Sequence, residues 1–236
     1  MNRDARAGFA PNGPVFRGGD VAASDVPGAV PWPPGVLARA SGAAGRITAP
    51  LWLWSCTYVG ARPRTLGRPR VLNRGQIEIR DDVVIDSRFS RTELITSRGG
   101  RIVIGAGTFI RHGTMLVASR LVELGDRVAL GAYCIVADTD GVDAREETSG
   151  DDATPIWIGD EVVLGPRVTV LPGAVVGAGS HILPGSMVAG EIPPGVVAGG
   201  NPARPIRRLQ PAGAAPAMPA PRWFDFPLDA RTGATR

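Results

Sequence analysis

Residues 156–188 read IWIGDEVVLGPRVTVLPGAVVGAGSHILPGSMV, and an aliphatic residue returns at every sixth place: Ile158, Leu164, Val170, Val176, Ile182 and Val188. Glycine follows directly at Gly159, Gly165 and Gly177. A helix repeats its apolar residues about every 3.6 positions and a half-buried strand every second one, so a period of six fits neither. It fits a solenoid whose flat sides each take one hexapeptide. One aliphatic side chain per side then points into a narrow core and stacks on its equivalent in the next coil. The corner beside it must turn sharply, which favours small residues.

The same spacing extends upstream through Leu124, Leu130 and Val136, and before them Ile104, Ile110 and Leu116, with glycine at Gly105, Gly125 and Gly131. Weaker matches at Ile77, Ile79, Val83, Ile85 and Ile95 predict that the coils begin near residue 75. The period breaks twice. Two extra residues fall between Leu116 and Leu124, and a longer excursion, DTDGVDAREETSGDDATP (138–155), separates Val136 from Ile158. That second segment is too polar for the core and reads as an outward loop, where function concentrates in a regular scaffold.

The expected fold is therefore all-β, a parallel β-helix of hexapeptide repeats over 75–208 with irregular N- and C-terminal extensions. Residues 1–34 lack periodicity and read as disordered or loosely packed. Residues 35–74 read as a capping segment, a short helix and an apolar strand, with Trp52 and Trp54 packed as a lid over the open end of the core. Residues 209–236 read as a Pro/Ala linker and a tail whose Trp223, Phe224 and Phe226 could dock on a neighbouring surface.

Composition narrows the function. The 236 residues include 32 Gly and 22 Pro at 44% hydrophobic content, which is turn-rich yet too apolar for wholesale disorder. Every one of the 26 basic residues is arginine, against 22 acids, for a net charge of +4. The arginines are scattered without interleaved aromatics, which fits codon bias and argues against nucleic acid. Cys56 and Cys134 sit in apolar runs and read as buried small hydrophobes, not as a disulfide or zinc set. No stretch has the apolar length of a membrane span, and the first residues lack a signal-peptide core, so the expected location is cytoplasmic.

The segment Ile156–Arg207 resembles the C-terminal half of hexapeptide-repeat acetyltransferases of the maltose, galactoside and colanic-acid type. The pieces IGDEVVLG, VLPGAVVGAGS, EIPPGVVAGGNPA and PIR follow that family's order. Residues 100–140, GRIVIGAGTFIRHGTMLVASRLVELGDRVALGAYCIVADTD, resemble its preceding coils. The resemblance implies a left-handed β-helix, a homotrimer, and acetyl-CoA as co-substrate in the groove between subunits. It also implies O-acetylation of a small-molecule or glycan hydroxyl, with no metal. A γ-type carbonic anhydrase, which shares the fold, needs three zinc-binding histidines, and this chain has two.

Such a transfer needs a general base for the acceptor hydroxyl. In the family that base is a loop histidine in a pattern like Asp-x-Asp-x-His. Here the pattern runs Asp138, Thr139, Asp140, Gly141, Val142, Asp143, so valine holds the histidine's place. Three readings stay open: His112 beside Arg111 is the base and Arg111 helps bind the acceptor; a carboxylate of Asp138, Asp140 or Asp143, or the substrate itself, handles the proton; or catalysis is lost and a carbohydrate- or partner-binding role remains. His181 reads as structural. The resemblance further places Ala178, Gly179 and Ser180 along the pantetheine arm. Arg204 and Arg207, with Arg208 after them, fall at the nucleotide phosphates, which suit guanidinium groups.

Overall fold

The computed structural model describes residues 43–139 and 153–209. The segment 1–34, the tail from 210 onward, and loop residues Asp140, Val142 and Asp143 lie outside the described residues.

Backbone hydrogen bonds run from coil to coil, and the strands fall into three parallel sheets of seven, eight and six strands, the eight-stranded one closing on an antiparallel pair. A short helix, α1 (Ala43–Trp52), comes first. Coil 1 is β1 (Tyr58–Val59), β2 (Arg64–Gly67) and β3 (Arg70–Asn73). Coil 2 is β4 (Gln76–Ile79), β5 (Val84–Ser87) and β6 (Glu93–Thr96). Coil 3 is β7 (Arg101–Ile104), β8 (Phe109–Ile110) and β9 (Met115–Ala118). Coil 4 is β10 (Leu121–Leu124), β11 (Ala129–Leu130) and β12 (Ile135–Ala137). After the loop, coil 5 is β13 (Ile156–Ile158), β14 (Val163–Leu164) and β15 (Thr169–Val170). Coil 6 is β16 (Val175–Val176), β17 (His181–Ile182) and β18 (Met187–Val188). The chain ends on β19 (Glu191–Ile192), β20 (Val196–Gly200) and β21 (Ala203–Arg208), the last folding back antiparallel on β20.

Each coil thus contributes one strand to face 1 (β1, β4, β7 and on), one to face 2 (β2, β5, β8 and on) and one to face 3 (β3, β6, β9 and on). The period-six residues are the inward ones. All twelve, from Ile104 to Val188, are at most 2% exposed. Their registers stack like on like: Leu130 pairs with Ile110 and Leu164, and Leu124 with Ile104 and Ile158. The period-six residues share the core with a second buried aliphatic two places before them in many coils, such as Ile102 before Ile104, Val122 before Leu124 and Val128 before Leu130.

Inner corners add polar stitches. Thr114 Oγ1 donates to the Gly131 carbonyl (2.9 Å) and Thr92 Oγ1 to the Asp86 carbonyl (2.7 Å). The Cys134 thiol takes the equivalent place one coil on, donating to the Gly165 carbonyl at 3.2 Å. Burial pushes Cys134 up to about 11 and Cys56 up to about 12, so neither is a thiolate nucleophile near neutral pH.

Two features differ from expectation. The strands begin at Tyr58, a full coil before residue 75, because coil 1 fills its inward places with Thr65 and partly buried Val59 and Val71, which blur the aliphatic period. The end of the core is plugged by Ala49 and Leu53, both buried; Trp54 is 81% exposed and packs on nothing inside.

Leu130, stacked on both sides, reports on the whole column. Leu130→Ala is expected to cost about 2–5 kcal/mol and Leu130→Met under about 1.5 kcal/mol, read from urea unfolding.

Candidate functional site

The edge between faces 2 and 3 carries the side chains that sequence spacing left unplaced. In β5 the alternation turns Ile85 inward and Asp86 outward, where Asp86 would meet water. The corner that follows, Arg88 to Thr92, is long enough for Arg88 to fold back over it. Its Nε and Nη2 donate to the two Asp86 carboxylate oxygens, each at 3.0 Å, and its backbone N–H adds a third bond at 3.1 Å. Asp86 is left 1% exposed. Burial alone would raise its carboxyl, but the Arg88 hydrogen bonds and charge, with a smaller contribution from His112, hold it below the ordinary carboxylate value.

One coil on, His112 occupies the same edge. Its Nδ1 is buried without a hydrogen bond and lies 3.9 Å from Asp86 Oδ2, an electrostatic contact too long for a hydrogen bond. The imidazole sits between two aromatic rings from the flanking coils. Phe89 meets it edge-on at 5.3 Å and Tyr133 at 5.5 Å. Gly113 makes the second contact possible. Its φ is +73°, and a Cβ there would lie 2.4 Å from Tyr133 Cδ1, so only glycine lets the ring lie along the corner. Tyr133 itself has φ +60°, but Arg127, Glu161 and Arg167 share that conformation, so it belongs to the solenoid's corners and is no mark of the site.

Burial is the largest influence on His112 and lowers its pKa from 6.5; Asp86 pulls upward, while Arg111 and Arg88 add to the lowering. The ring is therefore neutral near pH 7 and can accept a proton. Phe89 is 78% exposed and Tyr133 46%, so the corner opens to solvent between two aromatic walls.

The other sequence-derived residues fall elsewhere. Asp138 is fully buried at the edge between faces 3 and 1. Its Oδ1 accepts the N–H of Ser119 (2.8 Å), and its Oδ2 those of Arg120 and Leu121 (2.7 Å each). The two extra residues after Leu116 leave those donors without ladder partners, and Asp138 satisfies them. In this geometry its carboxylate is a structural cap, and within one chain face 3 separates it from His112. Asp140 and Asp143 lie outside the described residues. Arg111 precedes His112 and is partly buried.

Ala178, Gly179 and Ser180 form the coil 6 corner between faces 1 and 2. Ser180 is wholly buried, donates to the Pro193 carbonyl (2.7 Å) and receives the Val196 N–H, so this stretch offers a ligand only backbone. Arg204 and Arg207 sit on β21 against the end of face 2, Arg204 exposed and donating Nη1 to the Ala203 carbonyl. Face 2 thus borders all three groups: His112 at one edge, Ala178–Ser180 at the other, the arginines at its end. His181 also lies on face 2, partly buried between the register partners Val163 and Val197; burial lowers its pKa. Among the described residues no three His, Cys, Asp or Glu converge as a metal set.

Asp86, Arg88, Phe89 and Tyr133 were not legible as a site. The only signal was an acid directly after a repeat aliphatic, in VVIDSRFSRT, and its pairing with His112 depends on the length of an irregular corner.

Residues 155–190 match the family model described as bacterial transferase hexapeptide (six repeats). The chain is similar to the galactoside O-acetyltransferase of Escherichia coli, at 33% identity over 48% of this chain and 57% of that protein. It is also similar to the UDP-3-O-acylglucosamine N-acyltransferase of Methylorubrum extorquens, at 31% identity over 60% of this chain and 34% of that one. It therefore spans little more than half of the first relative and about a third of the second. Among solved structures, the N-acyltransferase AntD of Bacillus cereus, in complex with dTDP and coenzyme A, superposes with a TM-score of 0.55. Identity there is 21%, over 66% of this chain and 85% of that one. That likeness concerns the fold.

Asp138→Ala strands three backbone donors and is expected to cost about 3–5 kcal/mol in urea unfolding, with Asp138→Asn intermediate. Unchanged stability would remove its role as a cap.

Proposed function

Starting from a chain that carries the hexapeptide-transferase repeat and is a relative of acetyltransferases built on it, we propose that this protein is an acyl-CoA-dependent O-acyltransferase, moving acetyl from acetyl-CoA to a sugar or glycan hydroxyl. The observation that carries this reading is His112: neutral, walled by Phe89 and Tyr133, and backed by buried Asp86.

With a proton on Nδ1 facing the Asp86 carboxylate, Nε2 has a free lone pair. The acceptor hydroxyl gives its proton to Nε2 as its oxygen attacks the thioester carbonyl. The new C–O bond forms, the C–S bond breaks, and the imidazolium returns the proton to the CoA sulfur. Asp86 positions the ring and stabilises the imidazolium; Arg88 keeps Asp86 ionised. Phe89 and Tyr133 offer apolar faces of the kind that stack on the C–H face of a sugar ring, and Arg111 lies beside them as an acceptor-binding residue.

On the donor side, Arg204 and Arg207 bind the nucleotide phosphates, and the backbone of Ala178 and Gly179 borders the pantetheine arm. Along the solenoid axis His112 lies about three strand spacings (about 14 Å) from Ala178 and Gly179 and about five (about 24 Å) from β21, so the reacting end of the donor and its nucleotide end would sit at different levels of face 2. A cytoplasmic location fits a chain that draws on acetyl-CoA.

Turnover of acetyl-CoA, followed as released thiol over a panel of sugar acceptors, tests the reading. His112→Ala is expected to lower kcat about 10²–10⁴-fold. Because the base must be unprotonated and burial places its midpoint below 6.5, kcat/KM should rise with pH through the acid range and be flat at neutral pH. Equal turnover in wild type and variant would reject His112 as base; no turnover in either would favour a binding role.

A further inference from the structure

The pole of the solenoid opposite β21 carries a surface that acyl transfer does not use. Helix α1 and the turn after it bury Ala49 and Leu53 in the core, which drives the alternate side chains outward. Leu51 is 61% exposed, Trp54 81% and Tyr58 55%, with Pro50 exposed beside them. An open tryptophan and leucine side by side are costly in water unless something covers them.

The segment that carries them is basic, although Tyr58 pairs in register with Glu78 of the next coil and shares a groove with Glu78 and Asp81. From Thr48 to Gly75 the chain has Arg62, Arg64, Arg68, Arg70 and Arg74 and no Asp or Glu. Arg62 and Arg70 reach carboxylates only in the next coil, at Asp82 and Glu93, both across exposed pairs that contribute little. The Arg68 guanidinium lies over the Trp52 ring, 4.8 Å from its centroid, which holds a cation next to the apolar turn.

We propose that this pole is a docking surface for an anionic lipid bilayer. Tryptophan and tyrosine favour the headgroup region, where the ring is dry and its polar edge wet. Arginines around them meet anionic headgroups, each adding attraction that salt screens. A second copy of the chain is a poor occupant, since a two-fold contact would set arginine against arginine. Nucleic acid accounts for the arginines but not for exposed Leu51. No described helix is long and apolar enough to cross a membrane, so the attachment is peripheral.

The test is co-sedimentation of the full chain with vesicles of phosphatidylcholine alone or mixed with phosphatidylglycerol, at low and high salt, with a single-stranded RNA binding assay in parallel. Binding is expected only to phosphatidylglycerol-containing vesicles and to weaken with salt. The double variant Leu51→Ser/Trp54→Ser and, separately, Arg68→Glu should each weaken it about tenfold or more. Both act on exposed side chains, and matched melting curves keep folding out of the comparison. Absence of binding by the full chain, equal binding to neutral vesicles, binding indifferent to both variants, or binding to RNA alone would each overturn the proposal.

Discussion

One contact recurs through the molecule: an aliphatic side chain pressed between its counterparts in the coil before and the coil after. Leu130 between Ile110 and Leu164 is typical. The core is little more than this column and the aliphatics beside it, such as Ile102, Val122 and Val128, so an error in it has little to absorb it. The inward face must be aliphatic at every sixth residue, and all chemistry is expelled to corners, outer faces and ends.

That arrangement gives the fold a way to assemble polar groups. Residues far apart in sequence but one coil apart become neighbours along an edge. Asp86 meets His112 this way, and Asp138 meets the backbone of Ser119 to Leu121. Chemically the two aspartates resemble each other, since each is buried and accepts several N–H bonds. They differ in their described partners: Asp86 faces an imidazole in a corner open to water, whereas the bonds to Asp138 come from backbone N–H groups of the coil before. The first can tune a base. The second holds an inserted corner closed.

The architecture between Ile104 and Val188 could be read directly, because the six-residue period there is a direct image of the section. Coil 1 was obscured where Thr65 substitutes for an aliphatic and arginines crowd the strands. The candidate site was legible only in His112 and its neighbour Arg111. His112 stood out as a rare residue type, but Asp86 lies beyond, and Arg88 and Phe89 within, the irregular corner Arg88–Thr92, whose length sets the register and has no period to count by. Asp138 drew attention through a family pattern, while its contacts with the coil before show a cap. Trp54 read as packing because tryptophan usually packs; Leu53, next to it, takes the inward place instead.

The functional account rests on the edge between faces 2 and 3 acting as a tuned base, held by the stack beneath it. With only two histidines in the chain, their titration can be followed separately by NMR. The account predicts that His112 titrates below 6.5 and that Asp86→Asn, by removing the charge that favours the imidazolium, lowers its midpoint further while His181 stays in place. A His112 midpoint that does not move, or that rises, when Asp86 is neutralised would contradict it.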